Sequence, residues 1–258
     1  MRRVFTALYW AFFGVSSLVC FVLALLIWAV TTPFDPDRRV NHLFSCLWSS
    51  LYGYAYPGWR VRVHGRRFIR PRTPYVLVAN HTSGADIVLC FALFKQFKWV
   101  SKDSMFRVPL IGWNMRLCRY VPLVRGSAES IAAMWRACHA WLARGISIMM
   151  FPEGTRSPDG QLREFKHGAF TLAREASVPV VPVVIHGGHL LMPKDRQSFA
   201  PTAELDVEVL EPVAPGAFPD VEAFKHEVWH RIAARLASGR PGQRRTAPAA
   251  DEAARREA

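Results

Sequence analysis

Roughly 27 consecutive residues, Val4 to Val30, carry no charge, and as a helix at ~1.5 Å per residue they suffice to cross a hydrocarbon core of ~30 Å. A cleaved signal peptide fits less well, because the apolar part is long and no small-x-small site precedes Pro33. Gly14-Val15-Ser16-Ser17 interrupts the middle, which leaves a bent or re-entrant helix open beside a simple span. Thr32-Pro33-Phe34-Asp35-Pro36-Asp37 then breaks the helix. A second stretch, Val40 to Trp59, carries Leu43, Phe44, Leu47, Trp48 and Leu51 at helical spacing among serines and three tyrosines. Its aromatic content suits a headgroup boundary. The pair reads as a membrane-embedded hairpin, or as one span with one interfacial helix. For the second stretch the alternative is an amphipathic helix buried against a globular domain.

Length and charge narrow the rest. A chain of 258 residues holds one sizeable domain plus something smaller. Mean hydropathy of +0.08 is high for a purely soluble protein and low for a polytopic one. A formal charge of +13 favours anionic partners: nucleic acid, phosphate-bearing substrates or acidic lipid. No basic-aromatic platform or nucleic-acid module is visible, and the apolar start tips the choice to membrane lipid, so no nucleic-acid partner is expected. The five cysteines form no CxxC pair and read as buried reduced thiols of a cytosol-facing protein.

From Trp59 onward strands and helices alternate. Arg60–His64 alternates like a half-buried strand, and Tyr75–Ala79 is continuously apolar like a buried one. Lys98–Ser101, Tyr120–Val124, Ile146–Phe151, Val178–Ile185 and Glu204–Leu210 are further strands. Helices are predicted from Ser127 to Gly145, over Phe165–Arg174 and after a cap at Asp220. The pattern predicts an α/β fold, a central mostly parallel sheet flanked by helices, with the N-terminal membrane-embedded helical segment before it. The expected organisation is an anchor over 1–58, the α/β domain over 59–237 and a disordered tail over 238–258.

Two short polar runs each follow an apolar strand. In the first, Asn80-His81-Thr82-Ser83-Gly84-Ala85-Asp86, a histidine precedes a carboxylate by five positions. A neutral imidazole can take the proton of an attacking alcohol, and a carboxylate on its other nitrogen fixes the tautomer and stabilises the imidazolium. Residues i and i+5 do not share a helical face, so the pair works if His81 lies in the loop and Asp86 in the first turn of the following helix. The bland alternative is a helix cap at Ser83–Asp86 and an ordinary loop histidine. In the second run, Phe151-Pro152-Glu153-Gly154-Thr155-Arg156-Ser157, proline stops the strand and glycine permits a tight turn. Arg156 offers a planar fork to phosphate oxygens, with Thr155 and Ser157 as hydroxyl donors. Glu153 is odd in an anion site; orienting an arginine or binding a substrate hydroxyl are its plausible tasks. A surface turn with an exposed ion pair is the competing reading.

Together the two runs resemble the glycerophospholipid acyltransferase family, whose best-known members convert lysophosphatidic acid to phosphatidic acid. The resemblance covers about residues 60 to 210. It implies a catalytic pair at His81 and Asp86, and an acceptor-phosphate motif at Phe151–Ser157 with roles for Glu153, Gly154 and Arg156. Where the family has a strand ending Phe-Ile-Asp-Arg, this chain has Val121-Pro122-Leu123-Val124-Arg125-Gly126. The arginine is kept and the acid is not, so Arg125 is expected as a second phosphate ligand. Lys102 and Lys166 sit in family-like segments as candidate anion contacts, against the simpler reading of solvated lysines. The resemblance implies acyl transfer from acyl-CoA or acyl-ACP to the sn-2 hydroxyl of lysophosphatidic acid, with no metal or other cofactor. Another lysolipid acceptor, such as lyso-ornithine lipid, and a catalytically silent membrane-binding protein of this fold are the alternatives. Metal binding at His186/His189 or His226/His230 lacks a nearby Glu or Cys partner. Arg2 and Arg3 and the basic domain both favour the cytoplasmic side, which points to the cytoplasmic face of a bacterial inner membrane and to re-entry over a single span.

Overall fold

The computed structural model describes residues 2–54, 58–191, 200 and 202–241. The part of the expected tail from 242 on lies outside them, as do the side chains of Arg2 and Arg3 on which the expected orientation leans.

The uncharged run forms one helix, α1 (Arg2–Thr31), which continues unbroken through Gly14–Ser17. The two serines do not break it because they bond locally and sideways. Ser16 Oγ donates to the Phe12 carbonyl at 2.6 Å, and Ser17 Oγ meets the Tyr52 hydroxyl at 2.8 Å. Helix α2 (Arg39–Tyr54) packs antiparallel to α1. Asn41 Nδ2 donates to the Ala24 carbonyl at one end of the seam, and the Tyr9 hydroxyl to the Tyr52 carbonyl at the other. Asp35 caps α2, accepting from the amides of Arg39 and Val40, both at 2.9 Å.

Helix α2 is turned opposite to the usual rule for a helix packed on a domain. Asn41, His42, Ser45 and Cys46 are buried, while Leu43, Leu47 and Leu51 point outward at 46%, 55% and 37% exposure. The five apolar residues read as one face are thus divided: Trp48 turns inward with the polar group and the three leucines turn out. Most of the inward polar atoms have partners, as burial requires, Asn41 Oδ1 being an exception among the described residues. His42 bonds Tyr120 and Lys95, and Asn114 Nδ2 donates to Ser45 Oγ at 2.9 Å. The hairpin turn is tied to the sheet by Lys98, whose ammonium donates to the carbonyls of Asp37 at 2.6 Å and Cys118 at 2.7 Å.

Seven strands follow: β1 (Trp59–His64), β2 (Val76–Ala79), β3 (Phe97–Lys102), β4 (Val121–Leu123), β5 (Ser147–Met150), β6 (Val180–His186) and β7 (Ala203–Val209). They form one sheet in the order β1-β7-β6-β2-β5-β3-β4, parallel except where β6 meets β7. The crossovers carry α3 (Ala85–Phe91), α4 (Ile111–Leu117), α5 (Ala128–Ala143), α6 (Gly168–Glu175) and the short α7 (Gly188–Leu191), with α8 (Val221–Ala237) last. Strands β2, β5 and β6 are buried on both faces, which is why they read as unbroken apolar runs. Their alternate residues feed two cores. Leu77, Met149 and Val181 join Leu89, Phe91, Phe97 and Trp99 on one side. Val76, Ile148 and Val180 join Met134, Phe170 and Phe224 on the other.

The local signals act as their chemistry requires. Ser127 and Asp220 cap α5 and α8 through the amides of Ser130 and Ala223, and Gly145 takes the left-handed turn after α5 at φ 74°. Helix α6 begins later than the pattern suggested, because Phe165 is a core side chain of the preceding loop, exposed by only 2%.

Candidate active site

The ends of β2, β3, β4 and β5 lie side by side on the carboxyl edge of the sheet, where open α/β sheets offer a crevice for ligands. Asn80 directly follows β2 and fixes its position. Its amide donates to the Ile185 carbonyl at 3.0 Å and accepts from the Ile185 amide at 2.8 Å, clamping β2 to β6.

His81 follows in the loop and Asp86 sits in the first turn of α3. His81 Nδ1 lies 3.0 Å from Asp86 Oδ2. The same oxygen accepts from the amides of Thr82 and Ser83, both at 2.7 Å. The capping geometry and the histidine contact therefore coexist on one carboxylate, so the two readings of this run do not exclude each other. Asp86 is fully buried, and its Oδ1 has no hydrogen-bond partner among the described residues. Gly188 explains how the carboxylate fits: a Cβ at that position would lie 2.2 Å from Oδ1. A proton on Nδ1, directed at the carboxylate, leaves Nε2 as a lone-pair acceptor.

The second run wraps around His81. Its amide donates to Glu153 Oε1 at 2.6 Å, and its carbonyl accepts from the Ser157 amide at 2.8 Å. The phenyl ring of Phe151 stacks on the imidazole at 3.9 Å between centroids. Arg125, exposed beyond β4, donates from Nη2 to the Gly154 carbonyl. Gly154 has φ 73°, a conformation that favours glycine, and the Lys166 side chain leans against it: a Cβ there would lie 3.0 Å from Lys166 Cε. Thr155 is exposed and Arg156 half-buried beside Ser157. The structure thus brings His81, Asp86, Arg125, Gly154, Thr155, Arg156 and Lys166 to one place. Lys102 is exposed at the end of β3 on the same edge and makes none of these contacts among the described residues.

Glu153 departs from the expectation of a phosphate contact. It is 4% exposed, and its two oxygens accept from the amides of His81 and Arg163. A carboxylate turned inward onto two backbone amides is a brace between the runs, not a group offered to an anion. Burial pushes its pKa up to about 7, against the pull of those amides. Sequence reasoning missed the stacking of Phe151, the clamp of Asn80 and the close approach of Gly188. Only the Gly-Gly pair after β6 carried a signal, that of a backbone needing room.

The family model described as Acyltransferase matches residues 60–186, a span holding both runs and Arg125. The chloroplastic 1-acyl-sn-glycerol-3-phosphate acyltransferase LPAT1 of Arabidopsis thaliana is 36% identical over 202 residues, 78% of this chain and 56% of that protein. The chain spans little more than half the length of that plant relative. The 1-acyl-sn-glycerol-3-phosphate acyltransferase alpha of Homo sapiens is 30% identical over 226 residues, 86% of this chain and 78% of the human protein. The chain belongs to the acyltransferase family. Among solved structures, the 1-acyl-sn-glycerophosphate acyltransferase PlsC of Thermotoga maritima matches this acyltransferase fold with a TM-score of 0.75 at 25% identity, covering 94% of this chain and 100% of that one.

Proposed function

We propose that the protein transfers a fatty acyl group from acyl-CoA or acyl-ACP to the sn-2 hydroxyl of lysophosphatidic acid, giving phosphatidic acid. The observation that carries this reading is the joining of a histidine–carboxylate pair to an arginine-bearing turn, through the His81 amide on Glu153, 72 residues away in the chain.

The acceptor phosphate docks on Arg125 and Arg156, with the Thr155 hydroxyl as a further donor and Lys166 and Lys102 adding positive charge. The free hydroxyl then points at His81 Nε2, which takes its proton as the oxygen attacks the thioester carbonyl. The tetrahedral intermediate collapses, the C–S bond breaks, and the imidazolium gives its proton to the departing sulfur, releasing the free thiol and restoring the neutral base. Asp86 keeps the ring oriented and offsets its charge. Glu153 and Gly154 shape the loop. Chain-borne groups suffice for this step, so no metal or cofactor is needed beyond the acyl carrier.

Residues 1–58 act as the membrane anchor at the cytoplasmic face, 59–237 as the acyltransferase unit and 238–258 as a tail. Helix α1 is apolar over Val4–Thr31; its most apolar stretch of 18 residues has a mean hydropathy of 2.5, and only 11% of that stretch is buried. The outward leucines of α2 extend that surface, an arrangement suited to lipid and ill suited to water. An anchored site meets a lysolipid whose chain stays in the bilayer.

Purified protein assayed with acyl-CoA and acyl-ACP across lysolipid acceptors tests the reading. Lysophosphatidic acid is expected to be preferred, and Arg156→Ala to raise its KM by about tenfold or more. Preference for lyso-ornithine lipid or a phosphate-free acceptor would overturn the phosphate roles.

A further inference from the structure

The reaction just described leaves one neighbour of His81 without a task. Phe151 opens the arginine-bearing turn, yet its ring faces the imidazole, with planes only 9° from parallel. Trp99 packs against the phenyl ring at 5.3 Å with the planes tilted by 30°, and Trp99 in turn packs edge-on against Phe97 at 5.3 Å. Phe97 is fully buried and Trp99 is 4% exposed. The phenyl ring is thus anchored to buried aromatic rings of the core, and the imidazole stacks on its face.

Among the described residues, the imidazole of His81 is hydrogen-bonded only through Nδ1, to Asp86. One hydrogen bond leaves the ring free to rock about the line joining nitrogen to oxygen. A flat wall at van der Waals distance removes that freedom and fixes where Nε2 points. An aliphatic side chain of similar bulk would supply some of this. It would not supply the negative face of a π quadrupole.

That face matters because the imidazole changes charge during the reaction. It is neutral when the acceptor binds and positive once the hydroxyl proton has moved. Attraction between ring face and cation therefore develops along the reaction, and an interaction stronger in the transition state than in the ground state lowers the barrier. At 3.9 Å between centroids the rings are well inside the ~6 Å range of cation–π contacts.

We infer that Phe151 is a positioning residue for acyl transfer: its ring face holds the His81 imidazole in its working plane and stabilises the positive charge that the base acquires. The inference rests on the reading of His81 as the general base. It separates Phe151 from the anion-binding members of its own turn. The size of such attractions corresponds to about two- to thirtyfold in rate.

The test replaces Phe151 in the full-length, detergent-purified protein with mono-, di- and trifluorophenylalanine, which keep the shape and withdraw charge from the face. Acyl transfer from an acyl-CoA to lysophosphatidic acid is followed as kcat and KM separately. The expected result is a stepwise fall in kcat with each fluorine, reaching about tenfold, with KM for the acceptor unchanged. Phe151→Leu is expected to lower kcat at least as far, and Phe151→Tyr to restore it. A flat fluorine series overturns the inference whatever leucine does, because the ring would then be only a spacer. His81→Ala separates the two levels. If it keeps wild-type turnover, the base assignment falls and takes this inference with it. If it abolishes turnover while the fluorine series is flat, only the role of Phe151 falls.

Discussion

Under α2, the His42 imidazole uses both nitrogens on the protein. The Lys95 carbonyl at 2.9 Å only accepts, so Nε2 carries the proton and Nδ1 accepts from the Tyr120 hydroxyl at 2.8 Å. At the carboxyl edge of the sheet, the His81 imidazole has one nitrogen on a buried carboxylate and a side chain still 12% exposed. Both histidines adjoin aromatic rings of one core cluster: Phe97 meets His42 at 74°, and Phe151 lies nearly flat on His81. A histidine with both lone-pair sites engaged by neutral partners is packing. A histidine with a proton directed at a carboxylate, and an opposite nitrogen that meets no partner among the described residues, is equipped to accept a proton. The residue type decides little; the occupants of its two nitrogens decide the role.

The contrast can be broken by removing either partner set. The largest effect is expected from Asp86→Asn. The Thr82 and Ser83 amides and His81 Nδ1 all address one carboxylate oxygen, so the asparagine carbonyl would take that place and keep the tautomer, while the negative charge that offsets the imidazolium is lost. A drop in kcat of about a hundredfold or more, per folded molecule, is expected at saturating lysophosphatidic acid from the charge lost opposite the imidazolium. A loss below tenfold would move His81 into the category of His42. Next in size is His42→Leu, which takes the imidazole bonds away from the buried Tyr120 hydroxyl and Lys95 carbonyl. Denaturant unfolding is expected to show a loss of about 2–4 kcal/mol, with turnover per folded molecule preserved. Lost turnover in a fully folded variant would mean that the seam reaches the chemistry.

The smallest effect sharpens the comparison at Glu153. Its carboxyl, held up to about 7 in the fold against an ordinary 4.5, binds more protons in the native than in the unfolded state between those values. Its contribution to stability is therefore fully present below about pH 4.5, drains as pH rises toward about 7 and is level above. Melting of wild type and Glu153→Gln across pH 5 to 8 checks this. The advantage of wild type is expected to shrink with rising pH, and an advantage that grew would reverse the sign of the shift.

Much of the sheet was legible because its strands are short apolar runs bounded by turn residues, and Asp86 in the first turn of α3 followed from its spacing to His81. Other features depend on partners far away in sequence. No local pattern tells that Ser45 turns toward Asn114 while Leu47 faces out, since helical spacing marks a face but not what lies against it. Glu153 looked like a loop acid because its acceptors, the amides of His81 and Arg163, carry no side-chain signature. Phe151 looked like the last residue of a strand, and only the folded register puts its ring on His81.

The central claim is that one imidazole, steadied by a buried carboxylate and faced by an arginine-bearing turn, deprotonates a lysolipid hydroxyl. Its most direct measurement is acyl transfer to lysophosphatidic acid by His81→Ala, prepared with the same membrane attachment and melting behaviour as wild type. A loss of kcat of about a thousandfold or more, with acceptor KM nearly unchanged, is the result expected. Turnover within tenfold of wild type would contradict it.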